Sequence, residues 1–381
     1  MAAKPRFDGE WVRLGELISK ASIERCGDRK YPVYSMTMHD GIVEQAGRFK
    51  KTIASKDTSS YKVVKKNQLV VGFPIDEGVI YVQNHDAPGI MSPAYNVWDF
   101  DCKRIDPAYL ELALHGPRSM AYYADKMRGT TARRRTLTAD GLCNLEIPLP
   151  SIDDQIRAVH ILDVVRSLIK GANRQIAELD ALVKSRFVEM FGLINENPRR
   201  WETAALEDVA PICYQPVPQN GMVWQLNLDA VEAESGTVVS KCQVDAGELK
   251  GSIGGFAGSQ VLYSKLRPYL NKVVLPDCPG VCTTELLPLT PDLDRIDRVY
   301  LASSLRSSEF VAFASSHSNG AKMPRVDMKA FKKFEIPVPP IERQQEFASF
   351  VAEVDKSRFI VQQQIEKLQM LYDSLAQEYF S

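Results

Sequence analysis

The sequence predicts an α+β protein in which two β-rich mixed globular regions alternate with two long α-helices that pair as an antiparallel coiled coil. Two observations support this prediction. A stretch of 47 residues occurs twice, at 145–191 and 334–380, without a gap and with 14 identical positions, where average residue usage gives roughly three. The regions that precede the two copies hold 144 and 142 residues and are rich in short strand signals. The chain is therefore an internal duplication with a pseudo-two-fold repeat, divided as 1–144, 145–191, 192–333 and 334–381.

The two globular regions are predicted to be copies of one fold whose loops have diverged. Trp11 and Trp201 begin similar segments, and Asp106 and Asp297 begin similar short helices, at 107–114 and 298–305. The strand signals are short apolar runs bounded by Gly, Pro, Asn or Asp. They lie at 61–64, 69–73, 79–82, 261–264 and 272–275.

Each 47-residue copy is predicted to be an extended segment followed by a long helix. The spaced prolines of 146–150 and 335–339 exclude a helix there. Ser151 and Asp154 have capping-box spacing, and Pro340 suits a first helical turn. A helix over 155–190 spans about 54 Å, and its apolar stripe is narrow, which favours a coiled coil between the two copies. The alternative is two amphipathic helices packed separately on their own domains, and Gly171 is a candidate kink.

Composition indicates a soluble globular protein of two ordinary domains, with 381 residues, 45% hydrophobic and 25% charged. The sequence shows no secretory h-region and no transmembrane-length run, so the expected location is the cytoplasm. Seven scattered cysteines without a C-x-x-C pair imply neither a disulfide framework nor a zinc site. Phosphate-loop, zinc-protease and nucleophile-elbow motifs are missing, and the glycine-rich stretch 251–258 is predicted to be a mobile hairpin or loop.

Basic loops at corresponding places are the best candidate binding sites. Segments 128–135 and 318–325 lie in register at an offset of 189, and segment 263–272 interleaves basic residues with tyrosines. Small flexible residues next to arginine and lysine suit a phosphate backbone and base edges. Residues 1–144 carry 22 basic and 17 acidic side chains, whereas the last 48 residues carry 4 and 8. A solvated basic loop, or side chains used only for packing, is the alternative. The candidate DNA-binding residues are Arg128, Thr130, Thr131, Arg133, Arg134, Arg135, Lys265, Arg267, Tyr269, Lys272, Asn319, Lys322 and Arg325.

The chain resembles the specificity subunit of a type I restriction-modification system. The resemblance rests on the alternating regions and on the P-x-P-hydrophobic-x-x-Q pattern at 148–155 and 337–344. The endings of the two copies, at 185–191 and 374–380, add to it, and the resemblance covers the whole chain. It implies two target-recognition domains, no catalysis by this chain, and two methyltransferase subunits that bind the helices, supply S-adenosylmethionine and methylate adenine. Motor-nuclease subunits can join such a complex. The candidate partner contacts on the helices are Ile156, Val159, Leu179, Phe187, Val351, Val354, Leu368 and Leu375.

The expected target is double-stranded DNA with two short specific blocks separated by unread sequence. Half-sites one duplex turn apart are about 34 Å apart, which a helix pair of about 54 Å is long enough to span. One alternative is a non-catalytic coiled-coil scaffold that assembles protein partners without DNA specificity. Another is an enzyme with an unrecognised site in the first region. Affinity for duplex DNA distinguishes a DNA-recognition subunit from the scaffold. Catalytic activity of the isolated chain identifies the enzyme.

Overall fold

A computed structural model describes residues 10–38, 40–48, 57–128 and 135–381. The chain divides into two compact units. Unit 1 comprises Met1–Gly171 and Gln364–Ser381, and unit 2 comprises Ala172–Gln363. Each long helix contributes one half to each unit, so the four-part division 1–144, 145–191, 192–333 and 334–381 stays a prediction.

Unit 1 contains short strands, short helices and parts of both long helices. Its strands are β1 (Glu10–Arg13), β2 (Ile18–Lys20), β3 (Tyr34–Met36), β4 (Ile42–Glu44), β5 (Lys62–Val64), β6 (Gln68–Val71), β7 (Ile80–Val82), β8 (Gly89–Met91), β9 (Asn96–Phe100) and β10 (Glu146–Leu149). Its helices are α1 (Gln45–Arg48), α2 (Pro107–Leu114), α3 (Pro117–Lys126), α4 (Ala139–Cys143) and the first half of α5 (Ile152–Phe191).

Unit 2 repeats this composition. Its strands are β11 (Glu202–Ala205), β12 (Met222–Leu226), β13 (Cys242–Asp245), β14 (Ile253–Phe256), β15 (Val261–Ser264), β16 (Val273–Val274), β17 (Gly280–Thr283), β18 (Leu286–Leu289), β19 (Ser318–Asn319), β20 (Arg325–Val326) and β21 (Glu335–Val338). Its helices are α6 (Leu206–Val209), α7 (Arg298–Arg306), α8 (Ser308–Ser316), α9 (Met328–Lys332) and the first half of α10 (Ile341–Phe380).

Each unit contains a central strand with an antiparallel neighbour on both sides, and in the second sheet of unit 2 the pair β12–β17 is parallel. In unit 1 the order is β2-β9-β6-β7, and β6 pairs with both β7 and β9. In unit 2, β15 pairs in the same way with β16 and β18, and a second sheet has the order β13-β12-β17-β14. The strand signals at 61–64, 69–73, 79–82, 261–264 and 272–275 correspond to β5, β6, β7, β15 and β16. The short predicted helices are α2 and α7.

The junction between globular fold and long helix has the same strand pairing in both units but a different start of the helix. The proline-containing segment forms an edge strand, with β10 antiparallel to β1 and β21 antiparallel to β11. Ser151 Oγ accepts a 3.3 Å hydrogen bond from Asp154 N, as the capping-box spacing predicts. Pro340 lies directly before α10, where its carbonyl accepts from Arg343 N at 3.0 Å.

The two long helices pack against each other within each unit. In unit 2, Asp180 and Arg186 of α5 form ion pairs with Arg358 and Glu346 of α10. The α10 number falls as the α5 number rises, so the helices are antiparallel. In unit 1, Leu162 and Val165 share a buried core with Leu375 and Tyr379. The predicted α+β class with an antiparallel coiled coil is confirmed, and each helix has 40 residues instead of the predicted 36 for the first.

The glycine-rich stretch 251–258 was wrongly predicted to be a mobile hairpin or loop. Residues Ile253–Phe256 form β14, which pairs along its length with β17. A Cβ on Gly254 would lie 2.2 Å from the Tyr214 ring, and one on Gly255 would lie 2.7 Å from Gln215 O. Glycine is required there because neighbouring groups approach the strand backbone closely.

Candidate nucleic-acid interface

A short β-hairpin in unit 2 carries several of the candidate DNA-binding residues. Strands β19 and β20 pair antiparallel, with Ser318 opposite Val326 and Asn319 opposite Arg325. Gly320 in the connecting loop has a φ of +110°, which a residue with a side chain rarely adopts. The loop exposes Lys322.

This hairpin packs on the segment that follows β15. Val326 N donates to Lys265 O at 3.0 Å, and Arg267 N donates to Pro324 O at 2.7 Å. Leu266 and Arg325 form a β-bridge between these hydrogen bonds. The structure thus brings two candidate segments, about fifty positions apart, onto one face. We call this face the hairpin surface; it comprises Lys265, Arg267, Tyr269, Asn319, Lys322 and Arg325.

One cation of the hairpin surface is bound to a carboxylate. The Arg325 guanidinium donates to Glu285 at 2.8, 2.9 and 3.1 Å, through both Nε and Nη2. These hydrogen bonds raise the pKa of Arg325 above its ordinary value. Such a bidentate pair holds the hairpin against the strand pair β15–β18 and leaves this guanidinium little capacity for a ligand.

Three other cations on the hairpin surface are uncommitted. The side chains of Lys265, Arg267 and Lys322 have no hydrogen bond or ion pair with any residue that the structure describes. Arg267 and Lys322 are exposed, and Tyr269 is 52% exposed. Lys272, in contrast, donates its ammonium to Leu228 O at 2.6 Å, which gives it a structural role in the fold.

Unit 1 has a β-bridge in the corresponding region, between Arg128 and Thr136, with a different register from the β19–β20 pair. Their backbone groups exchange hydrogen bonds of 2.9 and 3.2 Å. Thr130, Thr131, Arg133 and Arg134 lie outside the described residues. Arg128 is exposed, and its role in binding stays a prediction.

Arg135 is paired with two carboxylates, whereas its equivalent in unit 2 is Pro324. Its guanidinium forms ion pairs with Asp76 and Glu77, in the turn after β6. Its carbonyl accepts from Ile75 N at 3.0 Å, just as the carbonyl of Pro324, 189 positions later, accepts from Arg267 N. The same backbone contact therefore places a buried isoleucine in unit 1 and an exposed arginine in unit 2.

A buried glutamine connects each long helix to its globular fold. In unit 1, Gln155 Oε1 accepts from Asp106 N at 2.8 Å. Its Nε2 donates to Arg104 O at 3.0 Å and to Pro150 O at 2.9 Å. Gln155 is fully buried, and these hydrogen bonds give both polar atoms of its side chain a partner within the protein.

Gln344 makes the same contacts in unit 2. Its Oε1 accepts from Asp297 N at 2.8 Å, and its Nε2 donates to Arg295 O at 3.0 Å and to Pro339 O at 2.7 Å. These contacts are the physical reason for the glutamine that ends the P-x-P-hydrophobic-x-x-Q pattern. The sequence showed the identical residue in both copies without showing its role.

The candidate partner contacts on the helices separate into three groups by exposure. Phe187, Val354 and Leu375 are buried inside their own units, so they are not accessible to another chain. Ile156 is 51% exposed. The remaining four are partly buried: Val159, Leu179, Val351 and Leu368. The buried residues were wrongly chosen, because one narrow stripe already serves the pairing of α5 with α10.

The described part of the chain shows neither a metal-binding cluster nor a membrane-spanning helix. No group of three or more His, Cys, Asp or Glu side chains is placed there to hold a metal ion. Among the described helices, none combines the length and the apolar character that crossing a membrane requires.

Sequence comparison connects the chain to a protein family. Residues 279–370, which include the β19–β20 hairpin and most of α10, match the family described as type I restriction modification DNA specificity domain. The type I restriction enzyme EcoDI specificity subunit of Escherichia coli is 25% identical over 122 residues. These residues are 32% of this chain and 27% of that protein, so the match spans about a quarter of the relative's length.

Structural comparison shows that the fold is shared over the full length. A chain from a study of complex assembly and conformational transition of the type I R-M system has a TM-score of 0.59, 18% identity and 99% coverage of both chains. The type I restriction-modification S subunit of M. genitalium has a TM-score of 0.55 and 14% identity, covering 100% of this chain and 99% of that chain. The fold is shared with these chains, and the resemblance to type I specificity subunits is confirmed.

Proposed function

We propose that this chain is the sequence-specific DNA-recognition subunit of a type I restriction-modification complex. It binds a bipartite, asymmetric target in double-stranded DNA and directs adenine methylation by two methyltransferase subunits. Where motor-nuclease subunits join, it directs restriction as well. The chain itself performs no chemistry, and S-adenosylmethionine is bound by the methyltransferase partner.

The observation that carries the proposal is the hairpin surface within a chain of this fold. Lys265, Arg267 and Lys322 are cations without partners among the described residues, and Tyr269 lies half exposed beside them. Phosphate contacts need free cations, and base readout needs donors that reach into a groove. A hairpin with uncommitted basic side chains supplies both.

The duplication supports a target with two different blocks. Each unit carries the same backbone contact, from Ile75 to Arg135 in one and from Arg267 to Pro324 in the other. The side chains around it differ in charge, because Asp76 and Glu77 follow Ile75 whereas Arg267 is itself basic. Two similar frames with different side chains are suited to reading two different sequences.

Exposed apolar residues on the long helices support binding of further subunits. Within unit 1, Leu168 and Met370 are 54% and 64% exposed, and within unit 2, Phe359 and Ile360 are 63% and 56% exposed. Exposed apolar side chains that form a contiguous patch are typical of a surface that another protein covers. We assign these surfaces to the methyltransferase subunits.

Sequencing of modified adenine in genomic DNA tests the proposal. Cells that express the chain with its methyltransferase partner are compared with cells that express the methyltransferase alone. We expect one bipartite motif that requires the chain. A matched variant with Lys265, Arg267 and Lys322 changed to Ala is expected to lose methylation while it retains binding to the methyltransferase.

Two outcomes would contradict the proposal. Methylation at the same motif without the chain would place the specificity in the partner. Absence of any motif, with the assembled complex present and the chain folded, would favour a scaffold that lacks DNA specificity.

A further inference from the structure

The backbone of Arg267 has a conformation that its own sequence disfavours. Its φ of 49° and ψ of 65° lie in the left-handed region, which residues with a Cβ seldom occupy. The next residue is Pro268, and proline restricts the residue before it to extended conformations. Glycine would fit this position better than arginine on backbone grounds.

Contacts within unit 2 impose this conformation. Arg267 N donates to Pro324 O at 2.7 Å, and Arg267 O accepts from Leu270 N at 2.9 Å. Pro268 is buried behind the turn. All of these contacts use the backbone of Arg267, so a residue without a long side chain would keep them.

The side chain of Arg267 therefore takes no part in these backbone contacts. It is exposed, and it has no hydrogen bond or ion pair with the described residues. Two nearby basic residues do have partners. The Arg325 guanidinium donates to the Glu285 carboxylate, and the Lys272 ammonium donates to Leu228 O. Backbone strain that a fold maintains without structural benefit is typical of functional positions.

We propose that Arg267 is a base-reading residue of this chain and that it recognises guanine in the half-site read by residues 192–333. This inference rests on the proposed DNA-recognition function. A guanidinium has two parallel N–H donors that match O6 and N7 of guanine in the major groove. The turn at Arg267 fixes where the side chain begins, and no carboxylate of the described residues pairs with it, so both donors are available.

Two substitutions separate base reading from simple charge. Arg267→Lys keeps the positive charge but removes the paired donors, and Arg267→Gly removes the side chain while relieving the left-handed backbone. Each variant is expressed with the methyltransferase partner, and modified adenine is mapped by sequencing. We expect both variants to lose roughly tenfold to a hundredfold preference at one G·C pair of one half-site. The other half-site is expected to remain unchanged.

A folding control accompanies the map. Arg267→Gly is expected to unfold at a urea concentration equal to or above that of the wild type, because it relieves the left-handed backbone and removes a side chain without a hydrogen bond or ion pair to the described residues. Lys322→Ala serves as the phosphate-type comparison and is expected to weaken methylation at all sites alike.

Several outcomes would overturn the inference. If Arg267→Lys retains the full motif while Arg267→Gly weakens every sequence equally, Arg267 contacts phosphate and reads no base. A half-site without guanine would also exclude it. Failure of the wild-type chain to direct any motif is distinguishable from both outcomes and would instead contradict the proposed function.

Discussion

Gln155 and Gln344, 189 positions apart, make the same three side-chain hydrogen bonds in their respective units. Each glutamine is in the first turn of a long helix and bonds to the backbone just before a short helix of the globular fold. Each also bonds to the carbonyl of the proline that ends the extended segment. The helix is thus tied to its globular fold at a fixed position and orientation, in addition to the apolar packing.

Removal of this glutamine should destabilise unit 2 strongly. Gln344→Leu leaves Asp297 N and the carbonyls of Arg295 and Pro339 without these partners, which we expect to cost about 2–4 kcal/mol. Urea unfolding measures the loss, and faster hydrogen exchange at the Asp297 amide locates it. Gln345→Leu is the matched control, because Gln345 is exposed. Equal stability of the two variants would show that the buried hydrogen bonds contribute little.

Alanine substitution at two glycines should change the stability of the chain in opposite directions. Gly171 lies inside helix α5, and Gly192 directly follows it. A Cβ on Gly171 would meet nothing within 4 Å, and the residue lies inside a continuous helix. Gly171→Ala should therefore stabilise the chain by about 0.5–1 kcal/mol. Gly192, just after the helix, has a φ of +79°, and a Cβ would lie 2.3 Å from the Pro198 ring.

Gly192→Ala should accordingly destabilise the chain by about 1 kcal/mol or more, because both the backbone and the Pro198 ring must adjust. Thermal unfolding of the two variants beside the wild type measures both effects. A loss of stability in Gly171→Ala would indicate that the helix needs flexibility at this position.

The sequence predicted the architecture but not the ionic contacts of the candidate site. Proline placement and helical periodicity are local signals, so the junctions at 146–150 and 335–339 and both long helices could be located from them. The duplication added evidence because two copies show the same pattern. Pairing of Arg325 with Glu285, in contrast, joins residues 40 positions apart and depends on strand register. No local pattern indicates which of several nearby carboxylates a basic residue will meet.

The same limitation explains the mixed outcome for the basic candidates. Lys272 and Arg325 were indistinguishable from Lys265 and Arg267 in the sequence, since all four lie in basic segments. The fold separates them, because Leu228 O lies within reach of Lys272 and Glu285 within reach of Arg325. The glycine-rich stretch was misjudged for a related reason: the close approach of Tyr214 to Gly254 is a tertiary contact.

Glu111 in unit 1 should make stability depend on pH. Burial raises the pKa of the Glu111 carboxyl above its ordinary value of 4.5, although Val82 N donates to it at 2.8 Å and His115 and Arg166 lower the pKa in part. Because the folded-state pKa is raised, Glu111 contributes to the free energy of unfolding below pH 4.5, where its carboxyl is protonated. This contribution is lost as pH rises through the folded-state pKa.

Glu111→Gln keeps an acceptor for Val82 N without a buried charge. We expect its free energy of unfolding to exceed that of the wild type at pH 7, with the difference shrinking as pH falls toward the ordinary carboxyl pKa. Urea unfolding at several pH values measures both proteins. A difference that grows toward low pH would contradict the assignment of a raised pKa, since it would mean that the ionised carboxylate stabilises the fold.

Lys322 should contribute charge to DNA binding without contributing to folding. Its side chain is exposed at the tip of the β19–β20 loop and has no partner among the described residues. Lys322→Ala should therefore leave the urea midpoint unchanged. If its ammonium neutralises one phosphate, the slope of log affinity against log salt should become less steep by about 0.9.

The measurement is a salt titration of DNA affinity for the assembled complex, on target and non-target duplexes. The loss should be the same for both, because a phosphate contact carries no sequence information. Lys356→Ala is the matched control: it removes the same charge from helix α10, where Lys356 is paired with Glu353. If both variants change the slope equally, long-range charge alone explains the effect. If Lys322→Ala alone changes it, the hairpin loop lies against the DNA backbone, and Arg267 beside it is placed to reach the bases.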